Sequence, residues 1–232
     1  MRLVLFDIDG TLLTAAGSGK RAIYAALRDV FGSTGPEDYW FDGKTDRQIV
    51  RDLMRSDGHG DVVIDERMSA VIDKYLECLA IELQDLSRPP RLHPGVTELL
   101  DDLERREDVI IGLLTGNVEP GARAKLAAAG LDPERFVVGA FGSDREHRPE
   151  LPAVARQRAR DELGVEVDGP EVVVIGDTPA DVDCGRGIGA RSIAVATGRF
   201  TVDDLRTAGA HAVFANLAPT PQVVEAIMME LH

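Results

Sequence analysis

Cysteine is nearly absent from this chain. Cys78 and Cys184 are the only two in 232 residues, and they have no metal-ligand spacing. That excludes a disulfide framework and a thiolate metal centre, and leaves two reduced structural thiols. Long apolar runs are missing as well: nothing approaches the roughly 20 residues a membrane span requires. Strand-like sequence begins at once with Leu3, and the expectation is a soluble, intracellular protein of the cytoplasm. Positive charge is scarce too, with 26 Lys and Arg against 40 Asp and Glu, a net charge of −14. A field of that sign repels nucleic acid and anionic lipid, so neither is an expected partner. A small anion stays compatible wherever local cations reverse the field inside one cleft. No lysine follows Lys125, and there is no internal repeat or low-complexity tract.

What is present is a set of short apolar runs, in a chain that is 44% apolar and long enough for one sizeable core with a smaller insertion. Leu3–Phe6 ends on Asp7, Val109–Leu114 on Thr115, and Val172–Gly176 on Asp177. In an open parallel sheet, ligands bind just beyond the carboxyl ends of the strands, so these three residues are expected along one edge. Further strands are expected at 135–141, 192–196 and 212–215, alternating with helical stretches. Such alternation predicts an α/β fold with a doubly wound, Rossmann-like parallel sheet, covered on both faces. Between Gly19 and Pro90 the period is helical throughout. Ala22, Ile23, Ala26, Leu27, Val30 and Phe31 mark a first helix stopped by Gly32, a second starts near Thr45, and a third runs from Asp65. The Pro-rich stretch 87–95 reads as a return linker that can hinge against 14–19. The expected division is a core of residues 1–16 and 90–232 with an inserted helical cap domain at 17–89, as a monomer or homodimer.

Asp7 and Asp9 are separated by one residue, so in a continuing strand both carboxylates face one side and repel unless a cation lies between them. Asp177 follows a wholly apolar strand and adds a hard oxygen of the kind magnesium prefers. Asp181, four residues on, is either an ordinary helix-start acid or a residue standing behind the metal ligands. Thr115, Gly116 and Asn117 lead from a strand into a helix, where free N–H groups, a hydroxyl and an unobstructed glycine suit a phosphate.

FDIDGTLL, LLTGN and VIGDTPADV, in this order and spacing, resemble the haloacid dehalogenase-like hydrolase superfamily, in its phosphatase branch with a helical cap. The resemblance spans nearly the whole chain. It implies that Asp7 is the nucleophile toward phosphorus and that Asp9 is the general acid and base. It also implies that the Asp9 backbone carbonyl joins Asp7 and Asp177 around Mg²⁺. Having both acids argues against the dehalogenase branch. The family's usual third-motif lysine is missing; Arg148 is the candidate replacement, in competition with Arg145.

In the insertion, Lys44 and Arg47 offer two cations near Gly43 for reading a leaving group, although Thr45 with Gln48 also fits a capping box. Tyr39, Trp40 and Phe41 suit either a substrate lining or the insertion's own core. His93 and His211 read as structural. The resulting expectation is a magnesium-dependent hydrolase of a small phosphorylated metabolite, working through an aspartyl-phosphate and similar to phosphoglycolate phosphatases. A phosphomutase of the β-phosphoglucomutase type shares every core residue. Carbon–phosphorus cleavage through a Schiff base on Lys44 lacks a supporting motif, and a silent metabolite-binding protein is disfavoured by the intact acids.

Overall fold

The computed structural model describes residues 1–229. In chain order it holds β1 (Arg2–Phe6), β2 (Leu13–Thr14), α1 (Ser18–Phe31), α2 (Asp46–Ser56), α3 (Asp61–Glu82), β3 (Arg91–Leu92), α4 (Val96–Glu104), β4 (Val109–Thr115) and α5 (Glu119–Ala128). There follow β5 (Val138–Phe141), α6 (Leu151–Leu163), β6 (Val172–Gly176), α7 (Pro179–Cys184), β7 (Arg191–Val195), α8 (Val202–Thr207), β8 (Ala212–Phe214) and α9 (Thr220–Met228). Among the described residues no helix is long and apolar enough to cross a membrane.

Six strands form a parallel sheet in the order β5-β4-β1-β6-β7-β8, giving the expected α/β architecture. Leu3, Val4, Leu5 and Phe6 are all fully buried, which only a central strand covered on both faces can achieve. Alternation sorts them. Val4 and Phe6 join one core with Leu99 and Leu103 of α4 and Leu126 of α5, while Leu3 and Leu5 join the opposite core with Ala155 and Ala159 of α6. After β1 the chain builds outward through β4 and β5 on one side, then through β6, β7 and β8 on the other. The reversal point therefore lies at β1, and the carboxyl ends of β4, β1 and β6 stand side by side.

Some boundaries differ from expectation. β5 starts at Val138 because Pro133–Arg135 form a 3₁₀ turn, whose entry Asp132 caps by accepting from the Glu134 N–H. α3 starts at Asp61, since its first turn carries the exposed Val62 and Val63 and so shows no apolar stripe. β2 and β3 are unforeseen: Leu13 pairs with Leu92 and Thr14 with Arg91, antiparallel, joining the chain entering the insertion to the chain leaving it. Two-residue strands carry no readable period. Between them α1, α2 and α3 share an apolar cluster that includes Ile23, Leu27, Leu53, Met54, Val71 and Tyr75.

Gly95, before α4, adopts φ +86° with its Cα against Leu217, where a Cβ would stand 2.1 Å from the carbonyl carbon. Gly32 has a similar φ of +79° but open space around it. Gly95→Ala is therefore expected to cost at least about 2 kcal/mol more than Gly32→Ala, a melting temperature lower by about 5 °C in a thermal scan. Equal melting temperatures for the two variants would contradict the close approach.

Candidate active site

Asp7 leaves β1 with its N–H still donating to the Ile175 carbonyl at 2.9 Å, which carries the β6 pairing one residue past the strand. Asp177 leaves β6 and accepts from Thr11 Oγ1 at 3.2 Å. Asp181 sits in the first turn of α7, where Thr178 Oγ1 caps its N–H and its Oδ2 accepts from the Thr178 N–H at 2.9 Å. All three are buried, and one oxygen from each lies within 4.8 Å of the others. Glycines let them crowd. A Cβ on Gly176 would stand 2.1 Å from the Asp181 carboxyl carbon, and one on Gly198 would stand 1.8 Å from Asp177 Oδ2.

Burial, first of all, pushes the Asp7 carboxyl up to about 6; Asp181 and Asp9 push the same way and Arg148 opposes them. Asp177 is pushed up to about 9 by burial and then by Asp181 and Asp7, against the Thr11 hydrogen bond and Arg148. Three carboxylates facing one guanidinium leave an excess of negative charge that only protons or a cation can relieve. The oxygen donor set fits a hard divalent ion such as magnesium. Asp181 is the third member of this cluster. Both of its oxygens are nevertheless engaged, by Thr178 and by Arg148.

The guanidinium is Arg148's. It sits in the 3₁₀ turn before α6, buried, with Nη2 3.0 Å from Asp7 Oδ1 and also donating to Asp181 Oδ1. Arg145 lies on the surface, pairing with Glu150 at 3.4 Å.

Asp9 turns away from the three carboxylates. Its Oδ2 accepts from Lys125 Nζ at 2.6 Å and from Asn117 Nδ2 at 2.8 Å. Thr115, wholly buried, places Oγ1 where it accepts from the Asn117 N–H and Nδ2. The missing side chain at Gly116 admits the insertion: a Cβ there would stand 2.0 Å from the Lys44 carbonyl oxygen, and the Gly116 carbonyl accepts from the Asp46 N–H at 2.8 Å.

These residues floor a cavity of about 500 Å³ under the insertion. Ile23, Tyr39, Trp40 and Phe41 also line it, and Tyr39 and Phe41 pack on the insertion's own apolar cluster. Lys44 lines the cavity but aims its ammonium at the Tyr39 hydroxyl and, at 3.5 Å, Asp52. Arg47 does not line it. Asp46 and Ile49 form the inward stripe of α2, and Arg47, one residue on, is rotated about 100° away. Thr45 caps that helix as expected, accepting from the Gln48 N–H at 3.1 Å.

The insertion is fastened at both flanks of the cavity. Thr45 Oγ1 donates to the Glu146 carbonyl at 2.6 Å and Arg51 Nη2 to Glu146 Oε2 at 3.0 Å. On the other flank Arg199 stacks on Trp40 and reaches Asp42 at 3.4 Å. Neither His93 nor His211 lines the cavity; His211 Nδ1 accepts from the Ser192 N–H. Lys125 and Asp46 are the residues sequence reasoning passes over. Each is charged and at least nine-tenths buried.

The comparisons agree with this geometry. A sequence model of the haloacid dehalogenase-like hydrolases matches residues 4–186. The chain is 31% identical over 216 residues to the probable phosphatase IndB of Dickeya dadantii (strain 3937), covering 89% of this chain and 86% of that protein. Among solved structures, a hydrolase from Pseudomonas syringae superposes with a TM-score of 0.74 at 23% identity, covering 99% of this chain and 100% of that one. A predicted phosphoglycolate phosphatase from Haemophilus somnus 129PT gives a TM-score of 0.69 at 19% identity, over 97% and 98% of the two chains. At those identities the structural likeness speaks for the fold, and the family rests on the sequence match. With two of its motifs supplying one buried cluster of acids and the third lining the same cavity, the chain belongs to the haloacid dehalogenase-like hydrolases.

Proposed function

We propose that this hydrolase is a magnesium-dependent phosphomonoesterase of small phosphorylated metabolites, working through a phosphoryl group carried on Asp7. The observation that carries the reading is the setting of Asp7: a buried carboxylate on the cavity floor, 3.0 Å from Arg148, with Asp177 in the same oxygen cluster and Asp9 held apart. Asp7 and Asp177, with the Asp9 carbonyl and with Asp181 standing behind them, are the groups that would hold the ion, which when bound would supply the positive charge a phosphate dianion needs to approach a carboxylate.

The remaining chemistry belongs to side chains. An Asp7 oxygen forms a bond to phosphorus as the bond to the leaving oxygen breaks, and Asp9 gives that oxygen its proton. Water then bonds to phosphorus, its proton passes to Asp9, and the bond to Asp7 breaks. Arg148 offsets the charge on Asp7 and on the transferring group. Thr115 faces the same space, where its hydroxyl is suited to donate to a phosphoryl oxygen, while the Asn117 amide is committed to Asp9, Thr115 and Lys125. A cavity of about 500 Å³ is of the size that holds a small metabolite.

Chelator-treated protein is expected to release phosphate from p-nitrophenyl phosphate at least about 100-fold more slowly than the same protein given magnesium. No release with any divalent ion would overturn the reading and favour a silent binding protein. Bisphosphate-dependent interconversion of hexose phosphate isomers, in place of steady phosphate release, would assign the same residues to a phosphomutase.

A further inference from the structure

Lys125 is an unusual lysine. Long cationic side chains normally carry their charge out to water, yet this one, which lines the cavity from α5, is 5% exposed. It lies beneath the first turn of α1, where a Cβ on Gly19 would stand 3.1 Å from Nζ. Burying an ammonium is costly unless it is paired and hydrogen-bonded. Here it donates to Asp9 Oδ2 and to Asn117 Oδ1, each at 2.6 Å, while Asn117 Nδ2 donates back to Asp9 Oδ2 at 2.8 Å. The three side chains close a ring on one oxygen. Among the described residues Asp9 Oδ1 accepts no hydrogen bond, and Asp9 lines the cavity with its side chain 43% exposed.

We propose that Lys125 is the positioning residue for Asp9: with Asn117 it clamps Oδ2 and so leaves Oδ1 as the oxygen that gives and takes the proton. The inference rests on the phosphomonoesterase reading. A free carboxylate at that place could swing toward the acid cluster or out into solvent, and a fixed one keeps a single oxygen aimed at the leaving group and then at water. The insertion completes the enclosure of this lysine. Tyr75 of α3 brings a buried hydroxyl without a hydrogen-bond partner among the described residues, and Asp46 of α2 brings a buried carboxylate that accepts from the Val118 N–H at 2.9 Å.

The test is a rapid-quench time course with p-nitrophenyl phosphate and magnesium, comparing the wild-type chain with Lys125→Met. Nitrophenolate departs without a proton, so transfer to Asp7 persists when Asp9 is misplaced, whereas hydrolysis of the phosphoenzyme still needs Asp9 as base. The variant is expected to lose at least about 30-fold in steady-state turnover, part of the roughly 10²–10⁴ contributed by a positioned acid–base group. Its first turnover should slow by less than about 3-fold, giving a burst of one nitrophenolate per active site. Lys125→Gln, which keeps a donor for Asp9 without the charge, is expected to show the same burst with a smaller loss. It decides the matter if Lys125→Met lacks a cooperative thermal melt. Equal slowing of both phases, or of neither, overturns the positioning role while wild-type turnover leaves the hydrolase reading standing. A wild-type chain that releases no phosphate overturns that reading and the inference with it.

Discussion

Asp7→Asn is expected to abolish phosphate release, by at least about 10⁴-fold or roughly 5.4 kcal/mol of transition-state stabilisation, while leaving the fold intact. The amide fills the same space but cannot form the bond to phosphorus. It also removes one of three buried carboxylates that repel one another, and Arg148 keeps Asp181 as its partner. In chelator, therefore, the melting temperature of the variant should equal or exceed that of the wild-type chain. Phosphate release from freshly purified variant, measured beside a thermal scan, checks both halves. Turnover near the wild-type rate would remove Asp7 as nucleophile, and a large fall in melting temperature would mean that the residue is chiefly structural.

Arg148→Met carries the second large effect, and it strikes stability as well as turnover. Its guanidinium is the only cation that meets Asp7 and Asp181 within ion-pair distance among the described residues, and all three groups are buried. Taking it away leaves two carboxylates uncompensated, a change of the kind that costs about 3–5 kcal/mol. For a chain of this size that corresponds to a melting temperature lower by about 10 °C in metal-free buffer. Added magnesium should recover part of the loss by supplying charge to the same oxygens. Turnover is expected to fall at least about 10³-fold even when metal is present. Arg148→Lys restores the charge but not the reach of Nη2, the one nitrogen that meets both acids, so it should recover activity and stability only in part. A methionine variant as stable as wild type in chelator would show that the guanidinium is not what holds these carboxylates together.

Much of this arrangement is legible in the sequence because buried parallel strands leave an unbroken apolar signature. Asp7 and Asp177 follow immediately on the last residues of β1 and β6, Thr115 is itself the last residue of β4, and the switch at β1 brings the three together. The glycine stop of α1 and the Thr45 cap of α2 follow from chemistry local to a few residues. What escapes is whatever depends on the direction of a long side chain. Arg47 follows Thr45 and Asp46 in sequence yet faces away, since a helix turns about 100° per residue. Lys125 reads as a solvated helix lysine until the packing of α1 and α3 over α5 is known. Asp181 reads as either a helix-start acid or a residue behind the metal ligands, and the sequence does not choose because one capping box leaves Oδ1 free to meet Arg148.

The short pairing of Leu13 with Leu92 and Thr14 with Arg91 has an architectural consequence. To the sheet, everything from Ala15 to Pro90 is the tip of a hairpin, however many helices that tip contains. A tip of this kind can be lengthened, trimmed or exchanged at little entropic cost, because closing a longer loop adds only about 0.6 kcal/mol per doubling. The sheet with its cluster of acids and the helices above it can thus diverge separately, joined through a neck four residues wide.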